Sequence, residues 1–145
     1  MTYRTVRELM ANPGLEVLAP DATVKSAAVR MAQAGVGAVL VVDEGGIRGM
    51  FTERDAITRV MALGLDCRTT TLDTVMTTRV LTVRPEDDVR RAQELMRDAG
   101  LRHLPVVAED DALIGLISVR DLLHVSEVAD KTESERERLW LPGVD

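Results

Sequence analysis

Residues 20–42 read PDATVKSAAVRMAQAGVGAVLVV, and residues 85–107 read PEDDVRRAQELMRDAGLRHLPVV. The two stretches align at an offset of 65 (Gly35 to Gly100), pairing Pro20/Pro85, Val24/Val89, Ala27/Ala92, Met31/Met96, Ala34/Ala99, Val41/Val106 and Val42/Val107. The match resumes at an offset of 66, where Gly49-Met-Phe-Thr-Glu-Arg-Asp55 lines up with Gly115-Leu-Ile-Ser-Val-Arg-Asp121. One residue has therefore been added in a loop, where insertions are tolerated. A repeat of this length is one supersecondary unit, and two copies are expected to cover each other's apolar faces. Any site in one copy then has a counterpart in the other.

Each copy opens on a short segment ending Leu9-Met10 or Val75-Met76, followed by a brief apolar stretch, Leu15–Leu18 or Val80–Val83, that reads as a short strand. Thr23 and Asp88 are N-cap candidates, because a short side-chain oxygen accepts from a free amide in the first helical turn. Val24, Ala27, Ala28, Met31 and Ala32 then fall at helical spacing, as do Val89, Ala92, Leu95 and Met96. Gly35 and Gly100 stand where a left-handed C-cap suits glycine. Ala38–Val42 and Leu104–Val107 read as buried strands, and Ile47–Phe51 and Leu113–Ile117 as antiparallel returns across polar turns. A second helix is expected from Thr52 to about Leu63 and from Ser118 to about Val125. The unit is strand, helix, strand, strand, helix, and the fold class is α+β. The boundaries expected are 1–66 for the first repeat with its lead-in, 67–128 for the second, and 129–145 for a charged tail.

With 145 residues, 46% of them hydrophobic and only 2% aromatic, the chain has material for a packed core built on aliphatic side chains. A net charge of −6 argues against a general affinity for nucleic acid or anionic membranes. A single cysteine, Cys67, excludes an intramolecular disulfide framework and fits a reducing compartment. The opening MTYRTVRELM lacks the apolar core of a signal peptide, and no apolar run approaches the roughly 20 residues that span a bilayer. A cytoplasmic location is the expectation.

The chemistry concentrates where a strand meets a helix, at Thr52-Glu-Arg-Asp55 and Ser118-Val-Arg-Asp121. Free amides at a helix N-terminus favour an anion. Thr52 and Ser118 can donate a hydroxyl to a phosphate, Asp55 and Asp121 can accept from a sugar's two hydroxyls, and Arg54 and Arg120 can neutralise phosphate. The same spacing is that of a capping box, in which hydroxyl and carboxylate satisfy the helix's own amides. One detail favours the anion site. Arginine in the first turn opposes the helix dipole, and it occurs in both copies.

In these residues the chain resembles a tandem cystathionine-beta-synthase (CBS) domain pair, or Bateman module. The resemblance rests on the Leu-Met and Val-Met openings, PDATV and PEDDV, the Ala-Gly helix ends, AVLVVD and HLPVVAED, and GMFTERD and GLISVRD. It covers roughly Val6 to Val125. It implies two βαββα repeats packed through their sheets with pseudo-twofold symmetry, commonly paired into homodimers. It further implies an adenosine-containing ligand (AMP, ADP, ATP, NAD or S-adenosylmethionine) in the cleft between repeats. By resemblance Asp55 and Asp121 bind ribose, Thr52 and Ser118 touch ribose or phosphate, and Arg54 and Arg120 reach phosphate. The base would lie near Val17, Ala38 and Val39 in one copy and Thr82, His103, Leu104 and Pro105 in the other.

His103, His124 and Cys67 match no compact zinc spacing, so no metal is expected. No P-loop, dinucleotide fingerprint or nucleophile-plus-base arrangement is present, so no catalysis is expected and no cofactor is required. In the tail, Glu133 to Arg138 can extend a helix with supporting side-chain pairs, and Leu139-Trp140-Leu141 is either a docking cluster or a frayed end. The expected function is a regulatory sensor for an adenine nucleotide that alters contact with an effector protein. The alternatives are a dimerisation scaffold without ligand, or a regulatory subunit of a separate enzyme or transporter.

Overall fold

The computed structural model describes residues 5–10 and 15–128, with side chains as far as Leu123. Within them the chain forms two compact units. One gathers residues 15–80; the other joins residues 5–10 to those from Leu81 onward.

In the first unit β1 (Val17–Leu18) runs parallel to β2 (Ala38–Asp43), which pairs antiparallel with β3 (Gly46–Thr52), in the order β1-β2-β3. Helix α2 (Val24–Ala34) starts where Thr23 accepts from the Ser26 amide and stops at Gly35, whose φ of 68° is the left-handed C-cap. Its buried stripe of Val24, Ala27 and Met31 packs on the face of the sheet that carries Val39, Val41 and Phe51. Helix α3 begins at Glu53–Asp55 and continues as π-helix over Ala56–Met61, adding Val60 to the same core.

The second unit repeats the plan with α5 (Val89–Ala99), β4 (His103–Val107), β5 (Leu113–Ser118) and α6 (Val119–Val128). Asp88 caps α5 through the Arg90 amide, and Gly100, at φ 67°, ends it. The core joins Val89, Ala92 and Met96 to Leu104, Val106, Ile117 and Leu122. The strand expected at Val80–Val83 contracts to one parallel bridge, Val83 to Val106. Pro85 follows it closely and has no amide to continue a ladder.

The compact units do not coincide with the sequence repeats, because the two lead-in segments are exchanged. Helix α1 (Val6–Leu9) precedes the first repeat, yet Val6 is fully buried in the core of the second unit. There the Val6 and Arg7 amides donate to the carbonyls of Asp87 (2.8 Å) and Pro85 (2.9 Å). Helix α4 (Leu72–Val75), the lead-in of the second repeat, buries Leu72 and Val75 in the first unit. The tail beyond residue 128 and its Trp140 cluster lie outside the described residues, as does the His124 side chain.

Val6→Ala removes two buried methyl groups and should cost about 2 kcal/mol. Hydrogen exchange should locate the loss of protection in α5, β4 and β5, not in the β2–β3 pair that follows Val6 in sequence.

Candidate functional site

Strand register places both turns. Ala38 pairs with Thr52, and His103 pairs with Ser118, so each hydroxyl residue ends a strand and opens a helix. At the first turn Thr52 and Asp55 form a complete capping box. The Asp55 amide donates to Thr52 Oγ1 (3.2 Å), and the Thr52 amide donates to Asp55 Oδ2 (3.1 Å). Two residues that local spacing did not single out complete this turn. Thr77 Oγ1 donates to the Asp55 carboxylate, at 3.0 Å from Oδ1 and 3.1 Å from Oδ2. Arg59, one helical turn on, pairs with Oδ1 at 3.5 Å and donates to the Met76 carbonyl at 3.2 Å. Asp55 is 5% exposed, the one charged residue buried among those described.

The second turn is built alike but furnished differently. The Ser118 amide donates to Asp121 Oδ2 at 2.8 Å, and the Ser118 hydroxyl stands 3.4 Å from the same oxygen. Oδ1 accepts no side-chain hydrogen bond from the described residues, and Asp121 is only half-buried. Arg54 and Arg120 are both exposed in the first turns of their helices. Burial pushes the His103 imidazole below its ordinary value. The positive charges of Arg102 and Arg120 act in the same direction, and Asp121 opposes them.

The residues expected near a base divide between two sheet faces. Val39 and Leu104 are fully buried on the faces packed by helices, so they belong to the cores. Strand alternation puts Ala38, His103 and Pro105 on the opposite faces, with Ala38 and Pro105 buried and His103 half-buried. Val17 and Thr82 are exposed. The groups at the turns are donors and acceptors suited to a diol and an anion. Among the described residues no three His, Cys, Asp or Glu side chains gather to hold a metal. No helix there is long and apolar enough to cross a membrane.

The family model for the CBS domain matches twice, over residues 6–62 and 72–128. The chain belongs to the CBS-domain family. It is 34% identical over 128 residues to the CBS domain-containing protein CBSX3, mitochondrial, of Arabidopsis thaliana, covering 85% of this chain. This CBS pair spans 62% of that protein's length, and 16% and 55% of two further curated relatives. Among solved structures, a CBS-domain protein from Burkholderia ambifaria is 35% identical with a TM-score of 0.80, the match covering 89% of this chain and 97% of that one. The CBS domain protein PAE2072 from Pyrobaculum aerophilum, solved in complex with AMP, is 28% identical with a TM-score of 0.76, covering 88% and 100%. The two-repeat α+β reading of the sequence is thereby confirmed.

Two tests follow from the geometry. A Cβ on Gly49 would fall 2.7 Å from both Met76 Sδ and the Thr77 carbonyl oxygen. Gly49→Ala should therefore destabilise the chain by about 1–3 kcal/mol in a denaturant titration. For His103, the folded chain disfavours the protonated form. Above the ordinary value of 6.5 both states hold a neutral ring and nothing is lost. As pH falls below 6.5 the unfolded chain takes up a proton that the fold resists. Stability therefore drops until the pH reaches the depressed folded value. The imidazole should titrate below 6.5 by NMR, and His103→Asn should flatten that part of the pH–stability curve.

Proposed function

We propose that this CBS pair is a non-catalytic regulatory module that binds an adenosine-containing ligand: AMP, ADP, ATP, NAD or S-adenosylmethionine. The observation that carries the reading is the Ser118–Asp121 turn, where one carboxylate oxygen caps the helix and, among the described residues, no side chain donates to the other, which suits it to accept a ribose hydroxyl. The likeness to a CBS protein solved with AMP supports the ligand class. In this reading Ser118 and Asp121 hold the ribose, Arg120 attracts phosphate, and His103, Pro105 and Thr82 flank the base in the second repeat. In the first repeat the matching set is Thr52, Arg54 and Asp55, with Ala38 and Val17 beside it, and there the carboxylate already carries the bonds described above.

Such a module regulates by binding its ligand more tightly in one conformational state than in another, because only differential affinity shifts an equilibrium. The altered state changes contact with a separate effector protein, in a reducing, cytoplasmic compartment. A homodimer is part of the proposal. Ile57, Met61 and Leu63 are 59, 72 and 67% exposed in and just beyond the π-helix, an apolar row suited to a second copy. Met61→Glu should shift sedimentation from dimer to monomer.

A scaffold without ligand is the second reading, favoured by the complete capping box at Thr52–Asp55. Dose-dependent thermal stabilisation separates the two, since a ligand raises the unfolding midpoint only if it binds the folded chain. AMP, ADP, ATP, NAD and S-adenosylmethionine are the panel, with GTP as the non-adenine control. Stabilisation by an adenosine compound and not by GTP is expected, and it should be lost in Asp121→Ala. A flat response to the whole panel would leave the scaffold.

A further inference from the structure

The first turn carries more bonds than a helix cap requires. A capping box uses one carboxylate oxygen, yet both oxygens of Asp55 are engaged. An ionised carboxylate offers about four acceptor positions. The Thr52 amide, the Thr77 hydroxyl and the Arg59 guanidinium take most of them, inside a site that is 5% exposed. The same groups hold down the segment that carries Thr77. Its amide and carbonyl exchange two 2.9 Å hydrogen bonds with Met50, and Arg59 reaches the Met76 carbonyl. Gly49 lets that segment come close, since any side chain there would strike it.

At the second turn the sequence offers neither side chain. At the offset of 66 that aligns the turns, Thr77 corresponds to Ala11 and Arg59 to Val125, neither of which carries a donor. Asp121 is half-buried where Asp55 is buried, and among the described residues no side chain donates to its Oδ1.

We infer that Thr77 and Arg59 commit Asp55 to a structural latch, so that in this chain the second turn alone provides a ribose-binding carboxylate. The two residues act as specificity determinants: they decide which of two like motifs takes the ligand. The ligand half of this inference rests on the function proposed above; the latch half does not.

The experiment has two arms, both on the full chain. Without ligand, thermal unfolding is followed for Asp55→Asn, Thr77→Val and the double variant. Each single change should lower the midpoint, and the double variant should unfold close to the worse single one, because contacting groups are not additive. Thr77→Ser should restore the midpoint. Additive shifts would overturn the latch. With the adenosine compound that stabilises best, calorimetry should give a single ligand per chain. Asp121→Asn should weaken it by about tenfold or more, as expected for losing a charged acceptor. Thr77→Val should leave affinity within about twofold, since it removes no ligand contact. Two equivalent ligands per chain, or loss of binding in Thr77→Val, would overturn the assignment. Failure of every adenosine compound to bind would remove the proposed function and the ligand half with it, while the unfolding cycle still decides the latch.

Discussion

The register of two antiparallel strand pairs governs what the chain can do at its turns. In β2–β3 Ala38 faces Thr52, and in β4–β5 His103 faces Ser118. Each pair also carries an irregularity at a matching place, between Val41 and Val42 and between Val106 and Val107. A slip of one residue would send every side chain to the opposite face. It would expose Phe51 and Ile117, which are fully buried. The apolar faces therefore enforce the register, and the register delivers a hydroxyl and a carboxylate to the start of each following helix. Core packing and candidate chemistry are set by the same pairing.

Given equivalent scaffolds, the two turns differ through side chains that arrive from elsewhere. Asp55 and Asp121 cap their helices in the same way, through the amide of the hydroxyl residue three positions earlier. What separates them is a hydroxyl at Thr77 and a guanidinium at Arg59. A buried carboxylate must be satisfied, and removing one partner from such a group costs more than the bond itself contributes. The first turn meets that demand fully. At the second, the described residues engage one oxygen, and Asp121 is less buried.

Most of the fold was legible because its signals are local. The helical spacing of Val24, Ala27 and Met31, the caps at Thr23 and Asp88, and the glycines at 35 and 100 each depend on neighbours within a turn or two. The duplication then supplied an internal control for every reading. Other features were not legible from spacing. The π-helical winding of Ala56–Met61 has no periodic signature in six residues. Val39 and Leu104 read as strand residues, but which sheet face they occupy depends on where the helices pack. Thr77 lies 22 residues from Asp55, so no local motif joins them. The available signal was a difference between the copies: Met76 is followed by threonine, Met10 by alanine.

The exchange of lead-in helices has a consequence for synthesis on the ribosome. Domains generally fold as units while the chain emerges N-terminus first. Here the first unit lacks Leu72, Val75 and the Thr77 hydroxyl until the chain has grown past the first repeat. Val6 waits longer still, because its partners Leu104, Ile117 and Leu122 all belong to the second repeat. A nascent chain halted between the repeats would hold the Val6 side chain with no core to enter and a carboxylate without its latch. Neither half is finished at that point: the first unit closes once Thr77 has emerged, and the second only when Leu122 has joined Val6.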